Sequence, residues 1–73
     1  ARITATPRGI TWNVDLSDVE TIDLPLAGEL YILQENLRER HGVLNLMGVR
    51  RSACTPSLLE RMHRRFHMSV VEG

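Results

Sequence analysis

Hydrophobic and polar residues alternate strictly over residues 10–16, and this alternation predicts a β-strand with one apolar face. The apolar face of that strand consists of Ile10, Trp12, Val14 and Leu16. Residues 2–6 alternate more weakly, and residues 7–9 have the composition of a turn, so a short N-terminal hairpin is predicted. A brief extended segment is predicted at residues 19–22 after the strand ends.

The next segment has the periodicity of an amphipathic helix. Leucines recur at steps of four, three and four residues, which places them on one helix face. They are Leu26, Leu30, Leu33 and Leu37. Asp23 is the predicted N-cap, and Pro25 is tolerated in the first turn because its missing N–H needs no partner there. Gly42 is predicted to end the helix in the left-handed conformation.

The second half of the chain predicts a strand, a helix and a last strand. Residues 43–47 are mostly apolar and predict a strand buried on both faces, followed by a loop at residues 48–54. Thr55 and Pro56 are a strong helix start. The apolar stripe of this helix is Leu59, Met62 and Phe66. A short edge strand is predicted at residues 68–71.

These elements predict an α/β fold in a single domain over residues 1–73. The order strand, helix, strand, helix, strand is typical of a small sheet with parallel strands and right-handed crossovers. The length allows one small domain, whose core is marginal because such a domain buries only ~60% of its unfolded surface. The composition is 42% hydrophobic and 25% charged, which is typical of a globular protein and excludes a disordered one.

The phrases "WNVDLSDVETID", "RERHG" and "VLNLMGV", with the leucine-rich helix between the first two, resemble the STAS domain, the fold of anti-sigma factor antagonists. The resemblance covers residues 10–71. It implies a non-catalytic regulatory module that binds a protein partner or another domain of a parent chain. In that family a serine of the strand–helix junction is phosphorylated, but the matching position here is Leu24, which has no hydroxyl. A phosphoserine switch at this position is therefore chemically excluded.

Without a phosphoserine switch, the resemblance still implies that the strand–helix junction is a surface that binds a partner. The predicted partner-binding residues are Asp23, Leu24, Pro25 and Leu26. A plainer interpretation is that Leu24 and Leu26 only plug the top of the sheet and that Pro25 only starts the helix. Both interpretations are open at this point, because a single exposed leucine needs no function.

Charge is distributed unevenly although the net charge is +0. Residues 1–37 carry six acids and two arginines, whereas residues 50–73 carry five arginines and two acids. These five anion-binding candidates are Arg50, Arg51, Arg61, Arg64 and Arg65. The alternative function is therefore a regulatory domain that binds an anion or a nucleotide at the Arg50/Arg51 loop and the helix start at Thr55, where free N–H groups favour phosphate. A solvated helix face explains the same arginines.

The sequence contains few of the residue patterns that catalysis requires, and no enzymatic activity, metal or cofactor is expected. The glycines are scattered and form no phosphate loop. Cys54 precedes a helix start, but a packed cysteine is the simpler interpretation. Three aspartates near the strand end are explained by capping and turn formation. They are Asp15, Asp18 and Asp23. Glu60, His63 and His67 share a helix face without forming a known metal motif.

Location and assembly are predicted from what the sequence contains. No apolar run approaches the ~18 residues of a membrane helix, and the lone cysteine fits a reducing compartment, so a cytoplasmic location is expected. All nine basic residues are arginine, which suggests a bacterial genome rich in G and C. The first residue is Ala1, which is consistent with a piece of a longer chain. An unprotected sheet edge beside residues 10–16 predicts a homodimer. Nucleic acid is not an expected partner, because the net charge is low and aromatic residues are few.

Overall fold

A computed structural model of the protein describes residues 2–6 and 10–72. The strands are β1 (Arg2–Ala5), β2 (Thr11–Asp15), β3 (Val43–Arg50) and β4 (His67–Val71). The helices are α1 (Leu24–Glu39) and α2 (Pro56–Arg65), and a short 3-10 helix spans Arg51–Ala53. The predicted order of alternating strands and helices is confirmed, and the turn predicted at residues 7–9 lies outside the described residues.

The strands form a mixed four-stranded sheet in the order β1-β2-β3-β4. The pair β1–β2 is antiparallel, whereas β2–β3 and β3–β4 are parallel. The α/β class and the parallel crossovers are therefore as predicted. The prediction of an unprotected edge beside residues 10–16 is wrong, because β2 pairs with a strand on each side. Among the described residues the outer strands of the sheet are β1 and β4.

Both helices cover the same face of the sheet. Every second side chain of the parallel strands is buried or half-buried in one core with the helices, as Val14, Leu44 and Leu46 illustrate. Consecutive right-handed crossovers that advance in one direction along a sheet place their helices on one side. The opposite side, which we call the open sheet face, carries a hydrogen bond from the Asn45 amide to the Asn13 side-chain oxygen at 3.0 Å.

The open sheet face corrects the prediction for β3. Val43 and Met47 lie on this face and are exposed, so β3 is buried on one face only and not on both. The strand is also longer than predicted, because Gly48 to Arg50 continue it where a loop was expected. Gly48 has a φ of 65°, and a register shift between Leu46 and Val49 accompanies it in the pairing with β4.

The helix starts follow the prediction, whereas the end of α1 differs from it. The Asp23 carboxylate accepts a hydrogen bond from the Leu26 N–H at 2.9 Å, and the Thr55 hydroxyl accepts one from the Leu58 N–H at 3.3 Å. At the end of α1, His41 and not Gly42 has the left-handed conformation, with a φ of 59°. The role predicted for Gly42 is therefore wrong.

Residues 19–22 form no strand, so the extended segment predicted there is also wrong. This loop is nevertheless anchored: Ile22 is buried, and its N–H donates to the Ala53 carbonyl at 2.8 Å. The hydrogen bond joins the chain before α1 to the chain before α2. Among the described residues, neither helix has the length and apolar character needed to cross a membrane.

Candidate functional site

The junction predicted to bind a partner is held in place from both sides. Asp23 uses its carboxylate to cap α1, and Leu26 is half-buried against the core. Leu24 and Pro25 are exposed between these two anchors. Of the four predicted residues, two therefore fix the start of the helix and two are presented to solvent.

Leu24 belongs to an apolar stripe on the outer side of α1. Leu24 and Ile32 are 70% and 64% exposed, the highest values among the large hydrophobic side chains of the described residues. Gly28 lies midway between them, and a Cβ at Gly28 would meet no atom within 4 Å other than those of its chain neighbours and its own helix backbone. Residues four apart are neighbours on a helix surface, so the three positions form one line. We call Leu24, Gly28 and Ile32 the outer stripe.

The sequence interpretation missed Ile32. The leucines that build the core recur at helical spacing and dominate the apolar pattern of α1. A second series at positions 24, 28 and 32, spaced by four residues, was the available signal. Its middle position is a glycine, which carries no hydrophobic signal of its own.

The structure divides the five predicted anion-binding arginines between two places. Arg61, Arg64 and Arg65 line a groove of about 440 Å³ between α1 and α2, together with Tyr31 and Glu35. Arg50 and Arg51 do not line it.

The Arg50/Arg51 loop and the start of α2 have local partners. Arg51 forms an exposed ion pair with Glu72, with 3.3 Å between nitrogen and oxygen. The Thr55 hydroxyl is engaged with the Leu58 N–H, so it satisfies one of the free donors of the α2 start. The alternative site predicted at Arg50, Arg51 and Thr55 is separate from the groove between the helices, whose lining contains none of these three residues.

We call the groove lined by Tyr31, Glu35, Arg61, Arg64 and Arg65 the basic groove. The Tyr31 ring stacks on Phe66, with 5.0 Å between centroids and 27° between planes. The Arg65 guanidinium carbon lies 6.0 Å from the Tyr31 ring centroid, within the range of a cation–π contact. The Gln34 side-chain amide donates to the Arg65 backbone carbonyl, which links the two helices at the groove.

Two of the residues considered for nucleophilic or metal chemistry, Cys54 and Glu60, have defined local environments. Cys54 is half-buried, and burial raises the pKa of its thiol, which opposes formation of the reactive thiolate at neutral pH. Glu60 forms an ion pair with Arg64. Over residues 2–6 and 10–72, no three side chains among His, Cys, Asp and Glu come together as ligands for a metal ion.

Asp15 is expected to titrate below the usual range of an aspartate. Hydrogen bonds from the Ser17 side chain and from the Ser17 N–H, the latter at 2.9 Å, lower its pKa. A lowered folded-state pKa contributes stability above the unfolded-state pKa, and that contribution is lost as the pH falls through the folded-state pKa. An NMR titration of the side-chain carboxyl carbons measures the folded-state pKa of Asp15. Ser17→Ala removes one of the two hydrogen bonds and should raise the Asp15 midpoint; an unchanged midpoint would contradict this assignment.

Comparison with known proteins found no match to this chain among family models, curated proteins or solved structures. The resemblance to the STAS domain therefore stays a prediction from the sequence.

Proposed function

We propose that this protein is a non-catalytic, STAS-type interaction module that binds a protein partner, or a domain of a parent chain, through the outer stripe of α1. The observation that carries the proposal is the exposure of Leu24 and Ile32 on one face of one helix. Single exposed apolar residues are ordinary on protein surfaces. Two large ones in line, with an open glycine position between them, present a shape that a partner side chain can enter.

The rigidity of the junction supports this proposal. The Asp23 cap and the Ile22–Ala53 hydrogen bond fix the start of α1 before a partner arrives. A surface that is already ordered loses little conformational entropy on binding, so more of the contact energy appears as affinity. Binding through Leu24 would be constitutive at this position, since leucine cannot be phosphorylated.

The STAS-type assignment is supported by the sequence phrases and by the parallel β2–α1–β3–α2–β4 order over residues 11–71. Within the described residues, a short strand, β1, precedes this unit and pairs antiparallel with β2. A lone free cysteine supports a cytoplasmic site of action. A second copy of the chain is a further partner that the proposal allows, through β1 or β4 and not through β2.

The experiment compares four immobilised baits in an extract of the source organism. They are the unmodified protein, Leu24→Asp, Ile32→Asp and the control Met47→Asp. Met47 is also an exposed apolar residue, but it lies on the open sheet face, so its substitution adds the same charge elsewhere. Proteins retained by each bait are quantified by mass spectrometry, and the dissociation constant of the recovered partner is then measured by calorimetry.

We expect one partner to be retained by the unmodified protein and by Met47→Asp, and to be lost with Leu24→Asp or Ile32→Asp. Loss of a large apolar side chain from the centre of an interface typically costs about 1–3 kcal/mol, or roughly ten- to a hundredfold in affinity. A partner that is lost only with Met47→Asp would assign binding to the open sheet face and would contradict the proposal. Light scattering of the purified protein at high concentration tests the second copy as partner.

A further inference from the structure

We propose that the basic groove is a binding site for a polyphosphate group, that is, a chain of two or three linked phosphates. This inference goes beyond docking through the outer stripe, since it concerns a small anionic ligand and other side chains. It rests on three features of the groove: the spacing of its arginines, their unequal pairing, and the way the Tyr31 ring is already occupied.

The arginines converge because of their spacing on α2. Arg61, Arg64 and Arg65 are related by steps of three and four residues, so they lie on one side of the helix over little more than one turn. Their side chains line a groove of about 440 Å³, which is within the usual range of small-molecule sites. A guanidinium group offers a planar fork of donors that matches two phosphate oxygens at once.

The charges in the groove are incompletely balanced by the protein. Arg64 is paired with Glu60 at 2.8 Å, and Glu35 is paired with Arg38 at 3.2 Å. Arg61 and Arg65 form no ion pair with any carboxylate of the described residues. They are four residues apart on one helix, where like charges repel and destabilise the helix. An anion bound between them would remove this repulsion.

The aromatic side of the groove favours a phosphate chain over a planar ring. Phe66 is stacked on the Tyr31 ring, and the Arg65 guanidinium lies over the same ring. An incoming base would have to displace Arg65 in order to stack on Tyr31. A polyphosphate needs only the guanidinium donors. A polyphosphate also carries several negative charges within a short length. It therefore matches closely spaced arginines better than an acidic peptide does, because the carboxylates of a peptide are spread along its chain.

Calorimetry with inorganic triphosphate at about 0.15 M ionic strength, where the Debye length is about 8 Å, tests this inference. The variants are Arg61→Gln and Arg65→Gln, and the matched control is Arg50→Gln, which removes the same charge from an exposed arginine outside the groove. Each groove variant should weaken binding about tenfold, as the loss of a charged hydrogen-bond donor typically does. The control should change the affinity by less than about twofold, because salt screens a distant exposed charge.

Thermal melts of all variants accompany the titrations. Arg61 has no ion pair among the described residues, so Arg61→Gln keeps the test valid if Arg65→Gln disturbs the contact with Tyr31. The inference is overturned if triphosphate does not bind, if Arg50→Gln weakens binding as much as Arg61→Gln, or if a hexaglutamate peptide binds more tightly than triphosphate. A nucleoside triphosphate that binds as tightly as inorganic triphosphate indicates recognition of the phosphate chain alone; tighter binding identifies a nucleotide as its source.

Discussion

Leu30→Asp is expected to unfold the domain, whereas Leu24→Asp on the same helix is expected to leave it folded. Leu30 is 5% exposed and lies in the core between α1 and the sheet. A charge at this position is buried without a partner, and the packing of the leucine is lost as well. Together these effects cost several kcal/mol. A domain of this size has only roughly 5 kcal/mol of total stability.

Leu24 lies in solvent at the first position of α1, and no acidic residue is present in the first turn of this helix. An aspartate there meets the positive end of the helix dipole, so the change in stability should stay within about half a kcal/mol. Urea titrations followed by circular dichroism measure both variants. If Leu24→Asp destabilises the domain as much as Leu30→Asp does, Leu24 belongs to the core and the outer stripe is not a free surface.

Gly42→Ala and Gly28→Ala should change stability in opposite directions. A Cβ at Gly42 would lie 2.8 Å from the Ile10 carbonyl oxygen and 3.1 Å from the Leu37 carbonyl oxygen. These two oxygens accept hydrogen bonds from the Val43 N–H and the Gly42 N–H, respectively. Both are backbone atoms, so relief of the clash requires the end of α1 and the start of the β2–β3 pairing to move apart. We expect a loss of about 1–3 kcal/mol.

Gly28 is the matched control: it is a glycine inside α1, whereas Gly42 follows α1, and it has free space around it. Alanine in a helix interior is favoured over glycine by roughly 0.5–1 kcal/mol, so Gly28→Ala should stabilise the protein. The same urea titrations give both values. Equal midpoints for Gly42→Ala and the unmodified protein would show that the end of α1 separates from β2 at no cost, contrary to the close approach described here.

The helices could be predicted because several local signals agree. In α1, the leucine periodicity, the Asp23 cap and Pro25 all indicate the same start, and the structure begins the helix at Leu24. In α2, Thr55 and Pro56 act in the same way. Signals of this kind depend on residues a few positions apart, so they are readable from the chain alone.

The strands were harder to predict where their ends and their burial depend on pairing between distant parts of the chain. Gly48 indicates a turn locally, but the register shift in the pairing with β4 lets β3 continue through it. The apolar run at the start of β3 indicated burial on both faces. Whether a second face is covered depends on where the helices cross the sheet, and both cross on one side. No property of the run itself contains that information.

The candidate surfaces also divide into features that local sequence determines and features that long-range packing determines. Leu24 precedes Leu26, the first leucine of the core stripe, by two positions, or about 200° around the helix, which predicts that it points away from the core. Its 70% exposure confirms this prediction. Arg50 and Arg51 precede α2, so its length separates them from the three arginines in its C-terminal half. That these three form a groove with α1 could not be predicted, because it depends on how α2 packs against α1. From sequence alone, Tyr31 borders the leucine stripe of α1 and is predicted to pack on the core, whereas the structure places it in the lining of the basic groove, stacked on Phe66.

The order of the strands in the sheet is also their order in the chain. Chains fold from the N-terminus during synthesis, so each strand that leaves the ribosome can pair with the strand made just before it. No completed pairing has to open for a later strand to insert. The sheet can therefore assemble vectorially, with one growing edge at any time. A ribosome that pauses after β3 would hold a nascent chain that already contains α1 and its side of the core, and whose free edge is the one that β4 later covers.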